Sequence, residues 1–255
     1  MLVLHASLLG LGLLSGLALA GMEHNLKLPN LIVQLLFTAY IVLLFAVSIL
    51  VPFMLAMRYY NSLFTDEGYL TNTLPLTSAQ KVLPRLLVGF ACMIMNIFSV
   101  MLSLFFLFLP FLPETIHRMT ELPELFKGIS ALFTEAFELL TKTFQFPNLA
   151  VTVIFLIITG LICLAGMLLQ IYFSISVGSI FSSHRILFAV LVYFGTSMAL
   201  NVLSSGGLYV FGSLMNTFPS MPVSVMVLAF PVAIALLSAA AFWVCCLVLD
   251  KKLNI

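Results

Sequence analysis

The sequence predicts an all-α polytopic membrane protein with six transmembrane helices, and three observations support this prediction. Hydrophobic residues make up 63% of the 255 residues, charged residues make up only 7%, and the mean hydropathy is +1.23. A soluble domain is about half apolar and about a quarter charged, so a water-soluble fold is excluded. Six apolar stretches are long enough to cross a hydrocarbon core about 30 Å thick. We therefore expect a single transmembrane domain over residues 1–255.

The predicted spans follow one another along the chain, with two long connections, one between the second and third spans and one between the third and fourth. They cover about residues 1–21, 31–57, 86–112, 149–177, 186–214 and 223–249. The first has an alternative interpretation, because Ala18-Leu19-Ala20 resembles the cleavage site of a secretory signal. The positively charged start of such a signal is missing, which favours a retained first span.

Basic residues predict the orientation of the spans. With the N-terminus inside, the cytoplasmic side receives six basic residues and the outer side four. The inner set is Arg58, Lys81, Arg85, Arg185, Lys251 and Lys252; the outer set is Lys27, Arg118, Lys127 and Lys142. Three of the outer four belong to one long segment, and the positive-inside rule is read from short connections. Both termini are therefore predicted to be cytoplasmic.

The long segment between spans three and four predicts an amphipathic helix on the outer membrane surface. Apolar residues recur at steps of three and four from Leu122 to Phe144 and form one helical face. Acidic and basic residues occupy the other faces, and Pro123 suits the first turn of a helix. The helix either packs over the spans as a scaffold or acts as a lid or sensor for substrate.

The connection between spans two and three, residues 58–85, carries the most specific pattern in the chain. The turn signal Asp66-Glu67-Gly68 and the helix breaker Pro75 predict a short helix, a folded turn and a second helix that runs into span three. Thr77 or Ser78 is suited to cap that second helix, with Gln80 in its first turn. Pro84 should kink it.

This connection resembles the cytoplasmic signature of type-2 ATP-binding-cassette (ABC) exporter permeases of Gram-positive bacteria. The similarity covers about twenty residues and is carried by Tyr59-Tyr60, Leu63-Phe64, Asp66-Glu67-Gly68-Tyr69-Leu70 and Thr73-Leu74-Pro75-Leu76. A weaker similarity lies at Gly178–Arg185, between spans four and five. Such permeases usually begin with a basic amphipathic helix before span one, whereas this sequence starts almost within the span.

The resemblance implies a permease subunit in the bacterial plasma membrane that docks onto a separate cytoplasmic ATPase, which binds ATP and Mg²⁺. It also implies a second permease subunit, forming a homodimer or a heterodimer. The implied ATPase-coupling residues are Tyr59, Tyr60, Phe64, Asp66, Glu67, Gly68, Tyr69, Leu74, Pro75, His184 and Arg185. Large aromatic residues are typical interface anchors. Their alternative role is an aromatic belt at the lipid headgroups.

Polar side chains inside the spans have two interpretations. Asn96, Ser99 and Ser103 form a stripe on span three, and Gln170 and Ser174 lie near the inner end of span four. They either hold the helices together by hydrogen bonds or line a substrate path.

Span five has a related feature in its sequence. Ser204-Ser205-Gly206-Gly207 predicts a break in this span, followed by a re-entrant element over residues 207–220.

Several kinds of chemistry are disfavoured by the sequence. No Gly-Lys dipeptide exists to build a P-loop, so the energy source has to be a partner. No charged residue lies deep in a predicted span, which argues against ion-driven transport and intramembrane catalysis. The four histidines have no metal-ligand spacing, and no basic run suits nucleic acid.

The predicted function is therefore non-enzymatic. The chain is expected to couple an ATPase to export of an amphiphile such as an antimicrobial peptide, drug or lipid. The alternative is a membrane scaffold or sensor that binds a cytoplasmic partner and transports nothing.

Overall fold

The structure is a computed structural model that describes residues 1–23, 29–65, 68, 75–111, 122–181, 184–217 and 223–253. All regular structure in these ranges is helical. The elements are α1 (Leu2–Glu23), α2 (Asn30–Phe64), α3 (Ser78–Phe108), a 3₁₀ turn (Leu109–Phe111), α4 (Leu122–Phe144), α5 (Leu149–Gly178), α6 (Arg185–Thr217) and α7 (Val223–Leu253).

Six of these helices are long and apolar enough to cross a membrane, which confirms the predicted all-α class. The qualifying segments are Leu2–Gly21, Asn30–Phe64, Ser78–Phe108, Leu149–Gly178, Arg185–Gly207 and Val227–Lys251. Their composition is compatible with a multi-pass membrane protein.

Helix α4 has the predicted bounds, and its described side chains are amphipathic. Phe137, Leu140 and Phe144 are partly buried, whereas Glu135 and Glu138 are exposed. Asn148 then caps α5 by accepting a hydrogen bond from the Val151 amide. The period of three and four residues therefore identified both the existence and the ends of this helix.

Two local predictions were wrong. The short helix expected after span two is not separate, because α2 continues without interruption to Phe64. The break expected at Ser204–Gly207 is also absent, because α6 runs through it to Thr217, while the rest of the expected re-entrant element lies outside the described residues. The Ser204 and Ser205 hydroxyls donate to backbone carbonyls one turn back, so these serines are accommodated within the helix.

The described chain divides into two compact units, and the single transmembrane domain stays a prediction. The first unit comprises Met1–Leu55 and Ala91–Phe133, and the second comprises Ala56–Phe90 and Thr134–Ile255. In the first unit, α1 packs closely on the end of α3 and the 3₁₀ turn. A Cβ at Gly12 would lie only 2.8 Å from the Ser103 carbonyl oxygen, so this approach requires glycine.

The second unit has its own buried cluster, to which four helices contribute. Its buried members are Tyr59, Leu63, Val82, Tyr172, Ile175, Cys245 and Leu249, from α2, α3, α5 and α7. Helix α6 approaches α5 closely at Gly178, where a Cβ would lie 2.5 Å from the Ala189 amide nitrogen. The second unit therefore contains both ends of the connection between α2 and α3.

Candidate functional site

The connection between α2 and α3 is the candidate site, and the structure describes its two ends. Gly68 is buried, and its amide donates to the Thr65 carbonyl at 2.8 Å. A Cβ at Gly68 would lie 2.6 Å from the Leu63 carbonyl oxygen, so no larger residue fits without a shift. Among the predicted coupling residues, Asp66, Glu67, Tyr69 and Leu74 lie outside the described residues, and Pro75 is exposed.

The start of α3 is fixed by a capping box. The Gln80 amide donates to the Thr77 hydroxyl at 3.3 Å, and the Thr77 amide donates to the Gln80 side-chain oxygen at 3.0 Å. This reciprocal pair satisfies two amides that have no partner inside the helix. The Ser78 hydroxyl also donates to the Asp250 carboxylate, which connects α3 to α7. The predicted cap is confirmed, with Thr77 as the capping residue.

Arg85 joins the two ends of the connection. Its Nε donates to the Ser62 hydroxyl at 2.7 Å, and its guanidinium also donates to the Ser62 carbonyl at 3.2 Å and to the Lys81 carbonyl. We call this set the Arg85 clamp. Ser62 lies in the last turn of α2, where carbonyls lack helical partners. The clamp therefore supplies a donor to the Ser62 carbonyl and holds the end of α2 against α3.

Tyr59 is a packing residue of the second unit. Its side chain is 1% exposed, its ring stacks on Tyr172 with centroids 4.0 Å apart, and its hydroxyl lies 3.0 Å from the Ser176 hydroxyl. The Tyr172 hydroxyl donates to the Arg85 carbonyl at 3.2 Å. The expectation that Tyr59 is an exposed docking anchor is not met, because apolar and aromatic neighbours cover its ring.

Tyr60 and Phe64 lie on the outside of this packed cluster. Both are partly exposed, and their ring centroids are 6.2 Å apart. Tyr60 also lines a groove of about 780 Å³ that contains His184 and Arg185. We call it the Tyr60 groove; its lining residues are Tyr60, His184, Arg185, Ile186, Leu187 and Val190. The structure thus brings together Tyr60, His184 and Arg185, three predicted coupling residues from two separate connections.

The polar stripe of α3 is used for contacts between helices in the first unit. Asn96 is buried, and its side-chain oxygen lies 3.2 Å from a ring nitrogen of His5. Ser103 is buried, and its hydroxyl lies 3.2 Å from that of Tyr40. Ser99 donates to a carbonyl of its own helix. His5 was missed as a partner, because a lone histidine near the chain start has no sequence signal that identifies its neighbour.

The polar residues of α5 are used in a similar way in the second unit. The Gln170 side-chain amide donates to the Ser197 hydroxyl of α6 at 2.7 Å. Ser174 is buried and donates to the Gln170 carbonyl one turn back. Of the five residues assigned to a possible substrate path, Asn96, Ser103 and Gln170 have hydrogen bonds between helices, as the bundle-forming alternative predicts. Ser99 and Ser174 donate within their own helices.

The described residues contain no group of three or more His, Cys, Asp or Glu side chains that is suited to hold a metal ion. No family model matches the chain, and no match was found among curated proteins or solved structures.

Proposed function

We propose that the chain is the membrane-spanning permease subunit of an ATP-driven ABC exporter. In this proposal it lies in the bacterial plasma membrane with both termini in the cytoplasm. It couples a separate ATPase, which binds ATP and Mg²⁺, to movement of an amphiphile such as an antimicrobial peptide, drug or lipid. A second permease subunit completes the transporter.

The observation that carries the proposal is the rigid attachment of both ends of the connection between α2 and α3. The Arg85 clamp holds the last turn of α2, the Thr77–Gln80 capping box holds the first turn of α3, and Asp250 holds Ser78. A partner docked between such ends would pass its displacement to α2 and α3, because both attachment points are bonded to neighbouring helices.

The residues between these ends supply the docking chemistry. Asp66 and Glu67 offer two carboxylates for charged contacts with a partner, and Tyr69 offers an aromatic anchor. The resemblance of this stretch to the ABC exporter signature supports an ATPase as that partner. Closure of the ATPase pair would displace α2 and α3 and convert an inward-open arrangement into an outward-open one.

The alternative, a scaffold or sensor that transports nothing, is favoured by one observation. Asn96 and Ser103, which would line a path, instead bond to α1 and α2. The same connection would then bind a partner without coupling to transport.

Co-purification tests the proposal. The chain is solubilised from its native membranes, and bound proteins are identified by mass spectrometry. We expect a P-loop ATPase that is lost when Asp66 and Glu67 are replaced together by alanine, with Gly68 kept because no larger residue fits there. The matched control replaces Glu135, Glu138 and Lys142, which are exposed on α4, by alanine and should retain the ATPase. Absence of an ATPase from the unmodified chain, after mild crosslinking, would favour the scaffold or sensor.

A further inference from the structure

The Tyr60 groove has two chemically different parts. One part is polar and is lined by the basic side chains His184 and Arg185 and by Tyr60. Along its length are Ile186 and Leu187, each 57% exposed, and Val190, 49% exposed. Residues three and four apart share one face of a helix, so these aliphatic side chains form a continuous apolar track on the first turns of α6.

The groove lies where a membrane span begins. The apolar segment of α6 starts at Arg185 and continues to Gly207, so the guanidinium is at the end of the hydrocarbon-crossing stretch. The aliphatic track follows it into that stretch. A molecule in the groove therefore meets a cation at headgroup depth and apolar side chains below, which is the polarity of a phospholipid.

The two basic side chains have no competing partner in the described part of the chain. Neither the His184 ring nor the Arg185 guanidinium has a hydrogen bond or an ion pair there, whereas the Arg85 guanidinium has three acceptors. Arginine stays protonated and binds phosphate oxygens through two parallel hydrogen bonds. Arg185 is therefore available to an anionic ligand.

We propose that the Tyr60 groove binds an anionic glycerophospholipid. The phosphate contacts Arg185 and His184, an acyl chain follows Ile186, Leu187 and Val190, and Tyr60 lies at the headgroup level, where tyrosine is enriched. This goes beyond the proposed transport function and assigns His184 and Arg185 to lipid, so the ATPase contact depends on the connection between α2 and α3. The lipid would stabilise the junction between α2 and α6.

Native mass spectrometry of the full chain tests this, with phosphatidylglycerol and phosphatidylcholine of equal chain length as probes. The unmodified chain should retain phosphatidylglycerol in preference. Arg185→Gln should weaken that binding about tenfold or more, the usual effect of losing a charged hydrogen bond. Arg58→Gln removes an equal charge from an exposed position of α2 outside the groove and should leave binding unchanged.

Two further variants test the two parts of the groove separately. Arg185→Lys keeps the charge and should retain part of the preference, while Leu187→Trp fills the apolar track and should reduce binding of both lipids. Inorganic phosphate in excess should not displace the lipid, since it has no acyl chain. Monodispersity on a sizing column identifies variants that fold.

Three outcomes would overturn the inference: equal retention of both lipids by the unmodified chain, equal losses in Arg58→Gln and Arg185→Gln, or full displacement by inorganic phosphate. If Arg185→Gln instead releases the ATPase and leaves lipid binding intact, the groove is a protein contact. Lipid binding is measured without the ATPase. If the lipid proposal fails, the proposed transport function is therefore unaffected, and if no ATPase is found, the lipid proposal is unaffected.

Discussion

Arg85 joins the backbones of α2 and α3. It donates to Ser62 twice and to Lys81 once, across the two helices that border the candidate docking connection. Arg85 reaches three acceptors on two helices at the same time, which depends on the planar, forked arrangement of the guanidinium donors. The residue thus links the Pro84 region of α3 to the last turn of α2.

Arg85→Lys should therefore destabilise the protein although it keeps the charge. Loss of the fork removes charged hydrogen bonds worth about 1.5–3 kcal/mol each, less where solvent reaches them. Ser62→Ala removes one acceptor only and should cost less. Thermal unfolding in detergent measures both; an unchanged midpoint in Arg85→Lys would show that the fork adds nothing.

Gly89 and Tyr172 form a second residue-scale test. A Cβ at Gly89 would lie 2.6 Å from the Tyr172 hydroxyl oxygen, so Gly89→Ala should cost about 1–3 kcal/mol by overpacking. Tyr172→Phe removes that oxygen and should itself cost about 1 kcal/mol, through the lost bond to the Arg85 carbonyl. The double variant should be hardly less stable than Tyr172→Phe alone. Unfolding midpoints of the three variants decide this, and additive losses would contradict the contact.

At the scale of elements, α6 exposes an unusual polar face. Asn201 is exposed, and with its neighbours it lines a groove of about 550 Å³, the Asn201 groove. The lining residues are Phe194, Ser197, Met198, Asn201, Val202 and Ser205. The Asn201 side-chain amide donates to the Ser197 carbonyl one turn back, and asparagine has further donor and acceptor capacity that a second copy can meet across a two-fold axis. In the proposed transporter, we expect a second copy of the chain to pack on this face.

Disulfide crosslinking tests that face. In a variant with Cys92, Cys163, Cys245 and Cys246 replaced by alanine, Asn201→Cys should give a crosslinked homodimer upon mild oxidation in membranes. Leu203→Cys is the control, because Leu203 is also exposed and lies on the other side of α6. Equal crosslinking from both positions, or none from Asn201→Cys, would contradict the assignment.

Periodicity and hydropathy predicted the helices well, and single-residue signals predicted their interruptions poorly. The apolar stretches predicted the six spans, and the amphipathic period predicted α4, because burial or lipid contact requires apolar residues at these positions. Ser204–Gly207 did not break α6: two glycines cost about 1 kcal/mol each in a helix, whereas unsatisfied backbone in lipid costs several. The local sequence favours a break, but the cost of unsatisfied backbone groups in lipid is larger and keeps the helix continuous.

The local features of the candidate site could be predicted from the sequence, and its long-range contacts could not. The Thr77–Gln80 capping box is local, and its spacing in the sequence identified it. The contact between Tyr59 and Ser176 joins residues 117 positions apart, and one sequence carries no signal for such a pairing. The burial of Tyr59 follows from that distant contact and was missed with it.

At the scale of the whole molecule, the chain is proposed to be one subunit of a larger transporter. Its spans would form the membrane pathway, its connection between α2 and α3 would receive the motion of an ATPase, and lipid would occupy the Tyr60 groove.

A reporter fused after Ile255 should be active only if it is of a kind that works in the cytoplasm, because Lys251 and Lys252 follow the last span. If a reporter that works only outside the cytoplasm is active instead, the predicted orientation is wrong. The connection between α2 and α3 would then lie outside, where it could not contact a cytoplasmic ATPase.

The most direct test is photo-crosslinking from Glu67 in living cells of the native host. A photoreactive amino acid at this position should form a covalent adduct with a protein that contains a P-loop, identified by mass spectrometry of the purified adduct. The same amino acid at Glu138, exposed on α4, should form none. The contradicting result is that both variants are expressed and inserted in the membrane, but the photoreactive residue at position 67 forms no adduct with a P-loop protein. The connection between α2 and α3 would then not dock an ATPase.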